Sequence, residues 1–475
     1  MAQPIPFVGP SYTLDSVDIN CQRCLNWYPE IDNTNSKAVV SLKPCFGLEP
    51  FAELNGVGNL RGLYSASNER FFGVCGDTVN EIFSNGAVVT RGALTSTTGI
   101  VKMTDNGFEN IVVDGAGGKG YTFNFSTNTF TEITDVGYPG GTHVAFIDQY
   151  IIVNKPGTQQ YQWSDLADAT VWPGLNIGSS EGSPDVINSL INLGGELWLF
   201  GPQSYEVHYS TGDATGAFAR IQGTNHGVGN VAPYSLAKSD NNIFWIGGDD
   251  GGQGRIYINE GYGSRVISTH PIEQAIQRYS KIDDAIGFCY QKLGHDFYQI
   301  SFPTPSVTWV YDASTDMWHE EAYTSIYNID YMARGIVQDF AFGKVYVGDW
   351  RSNKVFEVNP DVYTHDGDLI VRERTSPHIW DNMDRTYYGF FQIDLESGVG
   401  LVSGQGEDPQ IMLQISDDGG HTWGTERWRS AGKLGEFKKR VIWRRLGKSR
   451  DRVFKIRCTD PVKWVILGAY IEAEK

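Results

Sequence analysis

Long apolar runs are missing from this sequence, and so are clustered cysteines. No stretch of about 18 apolar residues occurs, which excludes a transmembrane helix. The opening residues, MAQPIPFVGPSY, contain no basic region followed by an apolar one, so we expect no secretory signal peptide. Six cysteines in 475 residues are too thinly spread for a disulfide framework and indicate free thiols made in a reducing compartment. They are Cys21, Cys24, Cys45, Cys75, Cys289 and Cys458.

Positive charge is scarce over most of the chain. The net charge is −18, which argues against nonspecific capture of DNA by the bulk surface because like charges repel. The exception is the segment 421–475, where 15 Lys and Arg face 6 Asp and Glu, a local charge of +9. The remaining 420 residues therefore carry −27. This basic end of an acidic protein needs a physical explanation.

Helical periodicity is almost absent, and Ile272–Ser280 is the only segment that predicts a short helix. By contrast, 55 glycines, 13 Trp, 24 Tyr and 24 Phe favour strands and tight turns. The composition therefore predicts an all-β protein and disfavours an α/β fold.

A loose repeat runs from about residue 59 to residue 359. Each unit has an apolar strand, a polar or glycine-rich turn, and a second strand rich in aromatic and β-branched residues, as in RFFGVCGDTVNEIF and ELWLFGPQSYEVHY. The steps between turns are 39, 42, 44, 47, 54 and 46 residues. The turns are marked by Gly76, Gly115, Gly157, Gly201, Gly248, Phe302 and Gly348.

Four-stranded antiparallel units at this period are typical of β-propeller blades. We predict about seven blades, with six as the alternative, over residues 59–365. Residues 1–58 are predicted to be an irregular leader with one short strand at Ala38–Leu42, because prolines interrupt any longer element. Residues 366–475 break the period and predict a separate β-sandwich or jelly-roll-like domain.

Strands of this last domain are expected near five segments. They are Tyr387–Leu395, Gln410–Ser416, Lys439–Arg445, Val453–Cys458 and Trp464–Glu472.

The segment SDDGGHTW matches the Asp-box pattern, in which Asp accepts backbone hydrogen bonds, Gly adopts positive φ and Trp packs beneath the turn. Asp boxes recur in glycosidases, usually in several copies far from the catalytic residues. One copy outside the propeller predicts a structural turn. Its residues are Ser416, Asp418, Gly420, Thr422 and Trp423.

Other motifs point to no chemistry. The loops DGAGGKG (114–120) and GGDDGGQG (247–254) fit neither a phosphate loop nor an EF-hand and predict hairpin turns. The pair Cys21 and Cys24 lacks a second ligand pair, and no two histidines have zinc-site spacing, so neither a metal nor a cofactor is predicted. No nucleophile signature occurs, so we expect no enzymatic activity.

The basic C-terminal stretch has three interpretations. Its arginines and lysines occupy only the solvated face of strands, or they contact an acidic surface of another subunit, or they contact DNA phosphates. Because the rest of the chain is acidic, the subunit contact is favoured. The candidate contact residues are Arg444, Arg445, Lys448, Arg450 and Arg452.

Three segments carry a family resemblance. The C-terminal KRVIWRRLGKSRDRVFKIRCTDPVKWVILGAYIE, the internal WVYDASTDMWHEE, and the leader pair NWYPE and LKPCFGLEPF resemble, in the same order, segments of the packaged-DNA stabilisation proteins of short-tailed phages. These are also called tail hub, tail accessory or nozzle proteins. The family's usual Pro-Gly in the leader is replaced here by Cys45, Phe46 and Gly47.

The resemblance implies a structural virion protein, made in the host bacterial cytoplasm. It implies a hexameric ring below the portal–adaptor complex that closes the DNA conduit after packaging and holds the tail needle or plug beside the tailspikes or fibres. Double-stranded DNA would pass through the channel without sequence-specific binding, and no membrane span is expected. The alternative is a carbohydrate-binding or glycan-hydrolysing β-propeller, suggested by the Asp box and the aromatic content.

Overall fold

The computed structural model describes residues 2–34, 37–213, 216–249, 252–323, 337–382 and 384–474. These residues form strands almost throughout, with one α-helix, α1 (His270–Arg278), and a 3-10 turn at Pro233–Ser235. Helix α1 lies two residues before its predicted position. Pro271 stands at its first turn, where a missing N–H costs nothing. No helix among the described residues is long and apolar enough to cross a membrane.

The N-terminal segment is rich in short strands, so the prediction of an irregular leader was wrong for this part of the chain. The predicted strand at Ala38–Leu42 overlaps the sixth of them. Most of these strands pair with partners hundreds of residues away, which a local pattern does not reveal. The strands are β1 (Gln3–Ile5), β2 (Tyr12–Thr13), β3 (Cys21–Gln22), β4 (Cys24–Leu25), β5 (Trp27–Ile31), β6 (Val40–Pro44) and β7 (Gly47–Glu53).

The repeat forms a β-propeller whose described residues build seven blades, as predicted. Blades 1 to 4 are four-stranded antiparallel sheets made of consecutive strands. Blade 1 contains β8 (Leu60–Ser65), β9 (Phe71–Cys75), β10 (Thr78–Ile82) and β11 (Val88–Ala93). Blade 2 contains β12 (Val101–Asp105), β13 (Glu109–Asp114), β14 (Lys119–Asn124) and β15 (Phe130–Glu132). Blade 3 contains β16 (Val144–Ile147), β17 (Tyr150–Asn154), β18 (Gln160–Trp163) and β19 (Ile177–Ser179), and blade 4 contains β20 (Ser189–Leu193), β21 (Glu196–Phe200), β22 (Tyr205–Ser210) and β23 (Phe218–Arg220).

The remaining blades depart from this simple order. Blade 5 contains β24 (Gly229–Asn230), β25 (Ala237–Ser239), β26 (Asn242–Asp249), β27 (Gly252–Glu260) and β28 (Gly263–Val266). Blade 6 contains β29 (Ile286–Lys292), β30 (His295–Phe302), β31 (Val307–Asp312) and β32 (Met317–Glu321). Blade 7 takes β33 (Val337–Ala341), β34 (Lys344–Gly348) and β35 (Lys354–Asn359) from the repeat and its fourth strand, β7, from the leader.

Strand β7 closes the propeller ring by pairing antiparallel with β35, from Gly47 opposite Asn359 to Glu53 opposite Lys354. The propeller therefore extends beyond the predicted range 59–365. Gly47 is required at the start of this strand, because an added Cβ would lie 2.3 Å from the carbonyl oxygen of Val362. The circle of blades closes only when β7, from the N-terminal end, pairs with β35, from the C-terminal end of the propeller.

The predicted hairpin turns fall where neighbouring strands join. The loop DGAGGKG (114–120) connects β13 to β14, whose ends pair Asp114 with Lys119. The loop GGDDGGQG (247–254) lies between the paired strands β26 and β27, and its two central residues lie outside the described part of the chain. Between blades, the first strands contact each other around the central axis, as β8 does with β12 and β33.

The C-terminal domain is a β-sandwich, and its five predicted strands are confirmed with shifts of at most four residues at their ends. Its strands follow a small hairpin beside β7. The elements are β36 (Thr364–His365), β37 (Asp368–Leu369), β38 (Arg372–Thr375), β39 (Ile379–Trp380), β40 (Thr386–Leu395), β41 (Gln410–Ser416), β42 (Arg427–Ser430), β43 (Val441–Ser449), β44 (Asp451–Cys458) and β45 (Ile466–Glu474).

Two layers enclose the core of the sandwich. One sheet has the order β43-β40-β45-β6-β5, with β1 also paired to β45, and the other has the order β4-β38-β44-β41-β42. Phe391 stacks on Phe454 between the layers, with ring centroids 4.4 Å apart. Trp27 from the leader is fully buried here and donates its indole N–H to the carbonyl of Trp464 at 2.9 Å. The leader is thus part of the sandwich core.

One continuous sheet joins the propeller to the sandwich. The outer strand of blade 6, β32, pairs with β4 of the leader, and β4 pairs on its other side with β38. The predicted domain boundary near residue 365 falls in the β36–β37 hairpin. Since backbone hydrogen bonds cross the junction, the leader connects the two units into one structure.

Candidate interaction surface

The two central arginines of the basic stretch lie on β43, an edge strand of the sandwich. Arg444 pairs with Phe390, and Gly447 pairs with Tyr388. Between these two pairs, two residues of β43 lie opposite a single residue of β40. This β-bulge places Arg445 at φ 59°. A bulge interrupts the alternation of side chains. Arg444 and Arg445 are consequently both exposed.

Lys448 and Arg450 continue this surface at the end of β43 and in the turn to β44, and both are exposed. We call Arg444, Arg445, Lys448 and Arg450 the basic ridge. Among the described residues, no carboxylate lies within ion-pair distance of any of these four side chains. Their charges are therefore free to meet an external partner.

Arg452 does not belong to this surface, although it was predicted from the sequence to be a contact residue. Its guanidinium is 2% exposed and binds Asp417 at 2.7 Å and the carbonyl of Leu446 at 2.9 Å. It also stacks 4.4 Å from the ring centroid of Tyr388. Strand β44 is an interior strand of its sheet, so this side chain is held within the sandwich.

The neighbouring strand β42 extends the basic ridge, a feature that the sequence prediction missed. Trp443 donates its indole N–H to the carbonyl of Arg427 at 2.7 Å, and Arg429 donates to the carbonyl of Ile442 at 3.2 Å. Arg427 and Arg429 are exposed, with Trp428 between them 53% exposed. The sequence RWRS carried the signal, because side chains two residues apart on a strand share a face, so its two arginines form a basic face.

The predicted Asp-box turn forms the connection after β41. The Ser416 hydroxyl donates to Asp418 at 2.6 Å and accepts from the Gly420 N–H at 2.8 Å. The Thr422 N–H donates to Asp418 at 2.9 Å. These hydrogen bonds hold the pKa of Asp418 below its usual range. Lys455 lies 3.9 Å from the ring centroid of Trp423. The carboxylate is thus engaged by the turn itself.

Charged side chains reinforce the junction between the propeller and the sandwich. Arg23 of the leader binds Glu320 of blade 6 at 2.8 Å and lies 3.6 Å from Glu373 of β38. Arg457 of β44 binds the same Glu373 at 2.9 Å. Burial raises the pKa of Glu373, but these cations outweigh it and the net pKa is lowered. The carboxylate therefore remains charged and connects the units.

One buried group of metal-ligand type occurs among the described residues. Cys45, His319 and Glu321 each offer one ligand atom, and these atoms lie within 4.8 Å of one another. The spacing of Cys and His in the sequence predicts no metal site. The group was missed because Cys45 precedes β7 whereas His319 and Glu321 lie on β32, so only the fold brings them together.

Two protein-family models match the chain, one over the propeller and one over the sandwich. The family model described as bacteriophage P22 Gp10, β-propeller, matches residues 5–363, and the model described as bacteriophage P22 Gp10, β-sandwich, matches residues 372–474. The first match includes the leader, in agreement with its place in blade 7. None of the curated proteins matches the chain.

Two solved propeller structures are similar to the chain at low identity. Virginiamycin B lyase from Staphylococcus aureus is 10% identical, with a TM-score of 0.45 over 66% of this chain and 98% of that one. The WD40 β-propeller domain of Doa1 is 11% identical, with a TM-score of 0.41 over 66% of this chain and 96% of that one. At these values neither structure bears on activity or partners.

The two family models together span nearly all of the chain, and their order matches the observed propeller followed by the sandwich. The protein is a structural component of a phage tail and hence of the virion. The chain belongs to the bacteriophage P22 Gp10 family, the packaged-DNA stabilisation or tail hub proteins of short-tailed phages.

Proposed function

We propose that six copies of this chain form a ring below the portal–adaptor complex and act as the nozzle of the tail. The ring closes the DNA conduit after packaging and holds the needle or plug beside the tailspikes or fibres. The role is structural and involves no catalysis. Membership of the family, and the three segments that resemble its members in the same order, support this position in the particle.

The observation that carries the proposal is the separation of charge. The basic ridge consists of exposed and unpaired cations, whereas the chain as a whole carries −18. In a ring of identical copies, each ridge faces an acidic surface of its neighbour. Charge complementarity of this kind steers association and fixes the register of the contact.

The same charge balance suits a DNA conduit. A protein with a strongly negative bulk surface repels the phosphate backbone and leaves the DNA free to slide. DNA is accordingly cargo in the channel, and no base readout is required. The described cysteines form no disulfide, which fits synthesis in the host cytoplasm before assembly.

Charge reversal tests the ridge. The double variant Arg444→Glu/Arg445→Glu should fold normally, since both side chains are exposed, but should fail to assemble on the portal–adaptor complex. Phage carrying these substitutions should produce filled heads that lose their DNA. Assembly of the unaltered protein should weaken with rising salt, because exposed charges are screened.

A matched control is available on the propeller. Arg278 and Lys281 have side chains 64% and 52% exposed, and the double variant Arg278→Glu/Lys281→Glu changes the net charge by the same amount. This control should assemble. Normal tails from the Arg444→Glu/Arg445→Glu phage would show that the ridge makes no essential subunit contact.

A further inference from the structure

The segment that enters the closing strand of the propeller lies against the outer strand of blade 6. Cys45 directly follows β6 and precedes β7, and its side chain is 2% exposed. His319 and Glu321 are two residues apart on β32, so their side chains point to the same face of the blade. All three residues therefore meet between blade 6 and the end of the chain that completes blade 7.

The surroundings of this group are apolar. Tyr28, Phe46 and Phe297 belong to the hydrophobic cluster between blades 6 and 7, and Cys45 is in that cluster. Tyr28 and Phe297 also pack on the ring of His319, with centroids 6.2 Å and 6.1 Å away. An imidazole buried among aromatic rings is costly when one of its ring nitrogens lacks a partner.

The imidazole of His319 is incompletely satisfied. It is 1% exposed, and its Nδ1 has no hydrogen-bond partner among the described residues. Its Nε2 lies 3.8 Å from Oε1 of Glu321, beyond hydrogen-bond distance. Buried polar groups in native proteins nearly always have a partner, and those that lack one need an explanation.

We propose that Cys45, His319 and Glu321 bind a divalent zinc-type cation that clips the closing strand of the propeller to blade 6. Zinc binds cysteine sulfur at about 2.3 Å and imidazole nitrogen or carboxylate oxygen at about 2.0–2.2 Å, with tetrahedral geometry. Ligand atoms around such an ion are separated by roughly 3.3–3.7 Å, so atoms within 4.8 Å need shift by only about 1 Å.

The donor set selects the kind of metal. A thiolate together with an imidazole and a carboxylate suits zinc, whereas magnesium and calcium prefer oxygen ligands alone. Coordination requires the thiolate, so the Sγ–H bond of Cys45 breaks, its proton leaves to solvent, and a sulfur–metal bond forms. No electron transfer is involved. A fourth ligand position is left for water.

Such an ion would stabilise ring closure. The three ligands come together only in the folded propeller, so metal binding favours the closed state over states in which β7 is detached. The proposed metal site lies in the propeller, apart from the basic ridge of the sandwich, and does not depend on the proposed subunit contact.

The test uses the purified full-length chain after removal of metal with a chelator. Equilibrium dialysis against Zn²⁺ followed by elemental analysis should find one ion per chain, and the thermal midpoint should rise. Co²⁺ in place of Zn²⁺ should give the thiolate-to-cobalt absorption band of a tetrahedral site. Cys45→Ser and His319→Gln should each lower Zn²⁺ affinity by at least about 100-fold, more than the loss of an outer partner does.

The variant Cys21→Ser/Cys24→Ser is the matched control, because it removes two other buried cysteines and should bind Zn²⁺ as the unaltered chain does. Absence of stoichiometric Zn²⁺, or a cobalt–thiolate band that persists in Cys45→Ser, would overturn the proposal. Where a ligand variant fails to fold, the cobalt spectrum of the unaltered protein decides. A spectrum without a thiolate band then refutes the site.

Discussion

His295 on blade 6 lies 3.0 Å from the carboxylate of Glu30 in the leader, and its other ring nitrogen lies 2.7 Å from Asp312. Burial lowers the pKa of His295, but the two carboxylates outweigh burial and the net pKa is raised. Strand β5, which contains Glu30, is therefore attached to the propeller by an ionisable contact.

This contact predicts a pH dependence of stability. A histidine with a raised pKa in the folded state contributes stability that is fully present below its unfolded value of 6.5 and lost as pH rises through the folded value. We expect Glu30→Gln to be destabilised relative to the unaltered protein at pH 5.5, with a smaller difference at pH values above the folded pKa. Thermal midpoints measured across this range provide the check.

Glu30 also binds Lys43 at 2.5 Å. The control is therefore Lys43→Met, which should lower stability without changing its pH dependence near neutrality. A Glu30→Gln difference that stays constant with pH would contradict the role of His295.

A second pH effect is expected at Asp339 on blade 7. Burial raises the pKa of this carboxyl to about 7, although backbone N–H groups of Ser65 and Phe340 donate to it. The proton is bound more tightly in the folded state, so the contribution is fully present below the ordinary value of 3.8 and lost as pH rises through about 7.

Asp339→Asn should remove this loss. The variant should gain stability relative to the unaltered protein as pH rises from 4.5 to 8, as measured by thermal unfolding. Asp361→Asn, at an exposed position, is the comparison and should show no such gain. Parallel stability profiles for Asp339→Asn and the unaltered chain would rule out the raised pKa.

Arg61 joins blades 1 and 2 through a buried contact with Asp114 at 2.9 Å, where the side chains are 2% and 0% exposed. It also donates to the carbonyls of Gly76 at 2.7 Å and Gly99 at 2.7 Å. Arg61→Met should destabilise the protein by about 3–5 kcal/mol, because it leaves a buried charge without its partner.

Chemical unfolding of Arg61→Met, of Asp114→Asn and of the double variant Arg61→Met/Asp114→Asn measures this coupling. The double variant should lose less stability than the sum of the two single variants, since neither charge remains alone. Strict additivity would show that the pair does not interact.

Arg374 anchors the beginning of the leader to the sandwich. Its fully buried guanidinium donates to the carbonyls of Phe7 at 2.6 Å and Pro10 at 2.8 Å, and to the side chain of Gln22 at 2.7 Å. We expect Arg374→Met to release this segment. Limited trypsin digestion should then cut at Arg23 faster than in the unaltered protein, as followed by mass spectrometry.

Arg429→Met is the control for this digestion, because its side chain is exposed on β42. It should leave the rate of cleavage at Arg23 unchanged. Equal cleavage in Arg374→Met and the control would show that other contacts hold the leader.

The blades were predictable because their hydrogen bonds are local. In RFFGVCGDTVNEIF, an apolar strand and a second strand flank a short polar turn, and the structure pairs Cys75 with Thr78 across it. The backbone hydrogen bonds of such a hairpin form between residues that are close in the sequence. The predicted strand Gln410–Ser416 also has the observed bounds, although its main partner is the distant strand β44, because its own apolar pattern marks it as a strand.

The leader was not predictable on these grounds. Strand β4 is two residues long, and it is a strand only because β32 and β38 supply hydrogen bonds on either side. The exposure of the basic residues was likewise not predictable from the sequence. Arg444 and Arg452 look alike in the sequence, yet one lies on an edge strand and the other on an interior strand.

By itself, the sequence determined the all-β class, the repeat of blades, the strands of the C-terminal domain and the asymmetry of charge, because each depends on composition or on local pattern. Tertiary structure alone decided that β7 closes the propeller, which arginines are exposed, and that Cys45 meets His319 and Glu321. These features depend on pairing between residues far apart in the chain, whose register is set by the packing of whole sheets.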